Sequence, residues 1–313
     1  MRIVLPGALP DPREARELIS YLPAAAPTLM GWLERGHATS TTADAARAGC
    51  TPFEQWQLMH HGFQPRAGQN CAAGLGPLLA ADTAEAGRPV WLAELVHVSP
   101  SRDGAALLPA RELAIAPDQS VALFESVQAL FSEVDFTLHP GGTDRWRIEL
   151  PGGYAPSCAS PALVAITSVN DWWSQDMAGR PWRRLVNEVQ MLWYEHPVNQ
   201  ERYRQGLVPI NSLWLFGGAS PDQLTKPPAP DPETRVHGDL LASSIAHDWG
   251  GWLAALGELE ARVFQPLAKN KPPEIVLIGN DRYVELKAAA LGRWTQWLPG
   301  SRNAWRKWWS HQD

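Results

Sequence analysis

The chain is poor in cysteine. It has three, Cys50, Cys71 and Cys158, and none forms a CxxC pair. An odd, sparse set weighs against a disulfide framework and gives no structural zinc spacing. It fits a reducing compartment, so a cytoplasmic location is expected. Long apolar runs are also missing: no stretch approaches the ~18–20 residues of a membrane span. The opening Met1–Pro6 stretch is too short for a signal peptide and reads straight into a strand. Positive charge is not in excess. A net charge of −6 argues against a nucleic-acid protein built on a broad basic surface. There is no internal repeat.

What is abundant is tryptophan, with 16 against 5 Tyr and 7 Phe. Trp joins a large apolar area to one donor and serves cores and interfaces alike. A few are expected at the surface, where they would suit a partner. The 313 residues, 45 % hydrophobic and 19 % charged, are enough for one large α/β domain or a core carrying a smaller one.

Residues 2–5 form a short apolar run, the expected first strand of a buried parallel sheet. Helices are expected over 12–20, opened by Asp11-Pro12, over 26–36, ended by Gly36, and over 52–61, opened by Thr51-Pro52 with Glu54 in its first turn. The stretch 64–89 reads as short helices and loops. Strands are expected over 91–98 and over 105–115, the latter interrupted by Pro109. A helix capped by Asp118 runs to Phe131, and two strands, 136–138 and 146–150, flank the turn 140–144. This β-β-α-β-β order suggests a small α+β module set into the chain. A long helix over 181–206 should end or kink at Pro197. A buried strand over 212–216, a Pro-rich surface loop over 220–234, a helix over 240–259 and a core strand over 274–278 follow. Residues 292–311 are a Trp-rich, partly basic tail.

Residues 196–217 contain His196-Pro197-Val198-Asn199, then Arg202, then Gly206, Pro209-Ile210-Asn211 and Leu213-Trp214-Leu215-Phe216-Gly217. This block resembles a signature of the archaeal-type cofactor-independent phosphoglycerate mutases, members of the alkaline-phosphatase superfamily. Phe136–Trp146, around Pro140-Gly141 and Arg145, resembles a hairpin of the same family, with Trp146 where the family has histidine. Ala26-Pro27-Thr28-Leu29 and Gly179-Arg180-Pro181 also resemble family segments. The resemblance implies an α/β fold: an alkaline-phosphatase-like, mostly parallel sheet flanked by helices. The expected core is 1–90 with 208–313, and the expected insert is an α+β module with a long helix over 91–207.

The departures from the family bear on function. The first strand of the family ends in a metal-binding Asp-Gly, and here Pro6-Gly7 stands there. The nucleophilic serine turn has Gly49-Cys50-Thr51 as its nearest counterpart. The late Asp-His turn is replaced by Gly279-Asn280-Asp281. Two-metal phosphoryl transfer needs several carboxylate or imidazole ligands per ion. The resemblance therefore implies a protein that has lost metal-dependent catalysis and acts by binding, as a regulator, with no metal and no cofactor. Two alternatives stand beside it: an active metal-dependent mutase or phosphatase with a rearranged site, and an interaction module using the Trp/Arg-rich tail. The expected partner is an unidentified protein or a small phosphorylated ligand, with nucleic acid the less favoured choice.

Candidate side chains follow. Arg145, His196, Asn199 and Arg202 could contact a phosphate or carboxylate, since a guanidinium matches both. The last three could instead brace the end of a helix. Cys50 lies before a helix start, where a thiolate would be stabilised, and is a candidate nucleophile; equally it is a small buried apolar residue. His60 and His61 are adjacent and point to different sides of a helix, so they do not readily share a metal. His237-Gly238-Asp239 and His247-Asp248 could supply metal ligands or simply serve a turn and a helix. Trp305, Trp308 and Trp309, at helical spacing, could dock on the core or face a partner.

Overall fold

The apolar run at the N-terminus becomes the strand around which one of two sheets is organised. The computed structural model describes residues 1–81, 85, 87–102, 104–226, 228–229, 231–288 and 305–310. Among these, the strands are β1 (Arg2–Leu9), β2 (Gly36–Thr42), β3 (Val90–Ser101), β4 (Gly104–Leu108), β5 (Thr137–His139), β6 (Arg145–Glu149), β7 (Ser212–Ala219), β8 (Thr234–Val236), β9 (Glu274–Gly279) and β10 (Arg282–Ala288). The chain divides into two compact units, one of Met1–Asp44 with Ala229–Asp313 and one of Ala45–Pro228. Together they make a mixed α/β protein with one five-stranded sheet in each unit.

In the first unit the sheet order is β2-β10-β9-β1-β8. β1 runs parallel to β8 and β9, whereas β10 is antiparallel to both β9 and β2. The expected mostly parallel sheet is thus corrected to a mixed one. Only Asn280-Asp281 separates β9 from β10, and so short a connection can only join antiparallel strands. β2 went unread because its sequence, Gly-His-Ala-Thr-Ser-Thr-Thr, is polar. It pairs on one side only, at the sheet edge, where an apolar pattern is not required.

Ile3, Leu5, Leu9, Ile275, Leu277, Val284 and Leu286 from this sheet pack with Leu29, Trp32 and Leu33 of the helix Pro27–Arg35 and with Trp252, Leu256 and Leu259 of Trp249–Leu259. The helix expected over 240–259 is broken. Leu241–Ile245 stops, His247 takes a left-handed φ of 52°, and Asp248 restarts the chain by accepting the Gly251 N–H at 2.9 Å. Trp305 and Trp309 of the short helix Trp305–Ser310 are core residues of this unit, and Trp308 is half-buried. Among the described residues every tryptophan is buried or half-buried, since sheet and helix faces here need large apolar fillers. The other tail residues, Arg293, Trp294, Trp297 and Arg302, lie outside the described residues.

The second unit is built on β3. It pairs antiparallel with β7 over residues 90–96, with β6 over 91–94 and with β4 over 97–101. Beyond the β7 ladder the Asn211 side chain substitutes for backbone. It accepts the Val98 N–H and donates to the Val98 carbonyl, each at 2.8 Å. Pro117–Ser132 and Arg180–Tyr194 cover this sheet with Leu123, Val127 and Phe131 and with Leu185, Val186, Val189 and Trp193. Two expectations change. The strand region 105–115 ends at Leu108, because Pro109 has no N–H for a ladder and Ala110–Leu113 forms a helical turn. Asp118 is not the cap of the next helix. That helix starts at Pro117, and Gln119 accepts the Ala116 N–H at 3.3 Å. The break at Pro197 is as expected, giving Arg180–Tyr194 and Pro197–Arg204.

The helix Pro27–Arg35 starts after Ala26, which has no side chain to cap it. The buried Glu260 does so from far along the chain, accepting the N–H of Thr28 at 3.1 Å and of Leu29 at 3.4 Å. Glu260→Ala should lower stability by about 1–3 kcal/mol, because one buried and one half-buried donor lose their acceptor. Urea unfolding checks it, and an unchanged midpoint would show that water replaces the carboxylate.

Candidate functional site

The helix Pro52–His60 opens with a full capping box. Thr51 Oγ1 accepts the Glu54 N–H at 3.3 Å, while Glu54 Oε2 accepts the Thr51 N–H at 2.8 Å and its hydroxyl at 2.9 Å. Ser160 adds a third donor to the same oxygen at 2.6 Å. Burial pushes the Glu54 carboxyl above the ordinary range, and these hydrogen bonds and Arg111 oppose it.

Two further contacts lace this helix start to other segments. The Gly49 carbonyl accepts the Ser160 N–H at 2.8 Å. Asn70 Nδ2 donates to the Cys158 carbonyl at 2.8 Å and lies 3.2 Å from Ser157 Oγ. Gly49 has φ +68°, and a Cβ there would stand 2.3 Å from Asn70 Nδ2, so only glycine fits.

This lacing draws all three cysteines into one apolar cluster with Leu58, Phe63 and Leu75. Cys50 is buried; Cys71 and Cys158 are partly exposed, and all three are free thiols. The neighbouring Cys71 thiol, burial and Glu54 all push the Cys50 thiol up. Cys50 and Arg47 lower the Cys71 thiol to about 7 against the opposing effect of burial. Burial pushes Cys158 up to about 12. Sequence reasoning singled out Cys50 but not Cys71, Glu54 or Ser160. The capping box at Thr51 and Glu54 was visible in sequence; no local spacing joins residues 50, 71 and 160.

The other candidates occupy different places. His196 caps Pro197–Arg204, its Nδ1 accepting the Val198 N–H at 3.2 Å, and burial lowers its pKa. Asn199 is buried; it donates to the carbonyls of Trp193 at 2.8 Å and Ile210 at 2.7 Å and accepts the Ile210 N–H at 2.8 Å. Arg202 is fully buried and donates to the Val208 carbonyl at 2.8 Å, to Gln119 Oε1 at 2.7 Å and to the Leu113 carbonyl. These three share one helix and point their polar groups into their own protein.

Arg145 lies on β6 opposite Glu94 of β3. Glu94 is buried and accepts the Ala110 N–H at 3.1 Å; burial pushes its carboxyl up to about 7, with Arg145 pulling the other way. Nearby in the same unit a cavity of about 610 Å³ is lined by Gln69, Arg88, Trp91, Arg147, Tyr154 and Gly218, among others.

Pro6 offers no ligand atom at the position the resemblance gives to a metal-binding carboxylate, and the other His and Asp candidates are otherwise engaged. Gly7 has φ +76°, its carbonyl accepts the Trp252 indole N–H at 2.8 Å, and a Cβ on it would meet Leu241 Cα at 2.7 Å. Asp281 pairs with Arg282 at 2.6 Å, and Asp239 with Arg262 at 2.5 Å. Asp248 is a helix cap and His247 a turn residue. His60 stacks on Trp56, and His61 Nδ1 lies 3.3 Å from the Lys226 carbonyl. Among the described residues no three His, Cys, Asp or Glu side chains converge to hold a metal ion.

No protein-family profile matches the chain. Over 160 residues, half of this chain, it is 26 % identical to a probable 2,3-bisphosphoglycerate-independent phosphoglycerate mutase of Geobacter sulfurreducens. The match spans 39 % of that relative's length. Two solved structures superpose over most of the chain. A cofactor-independent phosphoglycerate mutase from Thermoplasma acidophilum DSM 1728 covers 93 % of this chain and 90 % of its own, at TM-score 0.35 and 14 % identity. The PH0037 protein from Pyrococcus horikoshii covers 92 % and 86 %, at TM-score 0.46 and 10 % identity. At these scores the superpositions carry no argument, and the sequence match stands by itself as a mutase-like similarity.

Two outcomes test the electrostatic and bracing roles. Arg202→Ala leaves the buried Leu113 carbonyl without its donor and removes two part-buried bonds, to Val208 and Gln119, and should cost about 1–3 kcal/mol in urea unfolding; a fall in ligand affinity with unchanged stability would assign it to a binding site instead. Glu94 has a folded pKa raised from 4.5 to about 7, so the folded state holds its proton longer than the unfolded chain does. Stability should therefore fall as pH rises through that window. Glu94→Gln should flatten the decline, measured by thermal unfolding at pH values across the interval.

Proposed function

We propose that this chain is a divergent relative of the cofactor-independent phosphoglycerate mutases that acts by binding, as a regulatory protein, and does not carry out two-metal phosphoryl transfer. The observation that carries the reading is Pro6: at the place the resemblance gives to a metal-binding carboxylate, β1 carries a side chain with no ligand atom, and among the described residues no three His, Cys, Asp or Glu side chains gather to replace it. Without ligands to hold divalent ions, the charge that builds on a transferring phosphoryl group has no preorganised counter-charge. An alkaline-phosphatase-like arrangement of the fold, with a 91–207 insert, belongs to the same proposal, as does cytoplasmic residence. No helix among the described residues is long and apolar enough to cross a membrane.

The bound species this reading favours is a small phosphorylated ligand. The cavity of the second unit that Arg88 and Arg147 line beside Trp91 and Tyr154 is the place for it; these guanidiniums pair there with Glu85 at 3.2 Å and Glu149 at 3.5 Å, and an anionic head would take them over from the carboxylates. Arg202 and Asn199 are spent on the protein's own carbonyls and take no part.

The test is metal retention. The protein is incubated with Mn²⁺ and Zn²⁺, desalted, and its metal measured by mass spectrometry, alongside an assay for interconversion of phosphoglycerate isomers. The expected result is no retained ion and no turnover. About two tightly held ions per chain with turnover would overturn the proposal in favour of an active enzyme with a rearranged site.

A further inference from the structure

We propose that the ligand of the second unit's cavity carries both signs of charge: a phosphate ester that also bears an ammonium group, as a phosphorylated amino acid or an amino-sugar phosphate does. This rests on the reading above that the cavity takes a small phosphorylated ligand, and it names the class. The observation behind it is the charge of the lining. Among the described residues that line the cavity, the charged side chains are Glu85, Arg88, Arg147 and Glu149. Two guanidiniums stand with two carboxylates, so the lining is neutral in sum. Each cation is already paired, Arg88 with Glu85 at 3.2 Å and Arg147 with Glu149 at 3.5 Å.

A ligand with negative charge alone meets an obstacle in such a lining. When a phosphate takes a guanidinium from its partner, the carboxylate left behind stands beside the added negative charge, and their repulsion opposes binding. An ammonium on the same ligand removes that opposition. The phosphate takes the guanidinium, the ammonium takes the carboxylate, and two ion pairs replace one. The pair Arg147 and Glu149 is the better placed for this. The Arg147 side chain is 22 % exposed, against 69 % for Arg88, so water competes less for its guanidinium. Glu149 is steadied from one side only: its Oε1 lies 2.9 Å from His139 Nε2 and 3.5 Å from Arg147, and Oε2 has no partner among the described residues. That second oxygen is the acceptor for the ammonium.

The strand explains why the two charges stand together. Arg147 and Glu149 are two residues apart on β6, so their side chains leave the same face, and His139 of β5 is the register partner of Arg147. A ligand whose two charges are a few bonds apart can reach both residues. Trp91 and Tyr154 line the cavity beside them and offer apolar surface to a short carbon frame. Gly152 and Gly153 follow Glu149 along the lining, and a Cβ on either would meet nothing within 4 Å, which leaves that side open for entry. The volume, about 610 Å³, lies within the ~300–1,000 Å³ of small-molecule sites. Binding makes and breaks no covalent bond. Its consequence is selectivity: phosphoglycerate, which has a hydroxyl where phosphoserine has an ammonium, is the weaker ligand.

The experiment is isothermal titration calorimetry on the whole chain with two matched pairs of probes. One pair is O-phosphoserine and 3-phosphoglycerate, and the other is glucosamine 6-phosphate and glucose 6-phosphate; within each, an ammonium replaces a hydroxyl on the same frame. Serine alone is the control. In at least one pair the ammonium member should bind about tenfold tighter or more. Glu149→Gln should bring the two members of that pair together by weakening the ammonium member, and Arg147→Gln should weaken both. Equal affinity within both pairs, or preference for the hydroxyl member, overturns the inference and leaves the phosphorylated-ligand reading in place. Serine binding as tightly as phosphoserine, or no binding of any probe, overturns that reading and this inference with it. A preference that survives both Glu149→Gln and Glu85→Gln overturns the assignment of the ammonium to this lining. The wild-type comparison decides the matter even if a variant fails to fold.

Discussion

Each unit rests on one requirement: a polar group taken out of water must find a partner, and where the local sequence supplies none, a distant side chain does so. Glu260 caps a helix whose own cap position is Ala26. Arg282, itself almost wholly buried, donates to the Trp309 carbonyl at 2.9 Å, while the Trp309 indole donates to the Ala15 carbonyl at 3.2 Å. Arg202 gathers the carbonyls of Leu113 and Val208 and the Gln119 amide, and Asn199 joins Trp193 to Ile210. Apolar burial supplies most of the driving force. These tethers decide which segments meet, because a misplaced segment would leave buried donors and acceptors unpaired.

The same requirement changes what the His196–Gly217 block signifies. Its arginine, asparagine and histidine have the chemistry of an anion site, and a spacing argument alone could place them there. The structure has them facing inward. His196 holds a helix start, Asn199 spans an eleven-residue return of the chain, and Arg202 reaches three acceptors from three segments. A motif built of such residues marks shared architecture as readily as shared chemistry. That is consistent with a sequence similarity to a phosphoglycerate mutase existing beside a strand end that holds proline and glycine where a ligand is expected.

Chemical capacity lies elsewhere in the second unit, where one capping box, one glycine and one asparagine bring three cysteines and a buried carboxylate together. A carboxylate in that position raises the cost of charging Cys50, and Arg47 lowers that of charging Cys71. Two thiols of the same intrinsic acidity are thereby given opposite tendencies by their surroundings.

Much of the chain was legible in sequence because its signals are local. The apolar runs at 2–5, 212–216 and 274–278 read as buried strands. Thr51-Pro52 with Glu54 reads as a helix start, and Pro197 reads as a break; each holds in the structure. The polar edge strand Gly36–Thr42 was not legible, since an edge needs no apolar pattern, nor was the helix break at His247. Sequence by itself determined the element types, the mixed α/β class and the presence of a mutase-like block, because propensity, capping and periodicity act over a few residues. Only the tertiary structure decided that the described tryptophans are buried or half-buried, that Asn199 and Arg202 bind the protein's own carbonyls, and that the three cysteines gather in one cluster. Those outcomes depend on contacts between residues far apart in the chain, and no spacing rule encodes which distant partner a buried polar group will find.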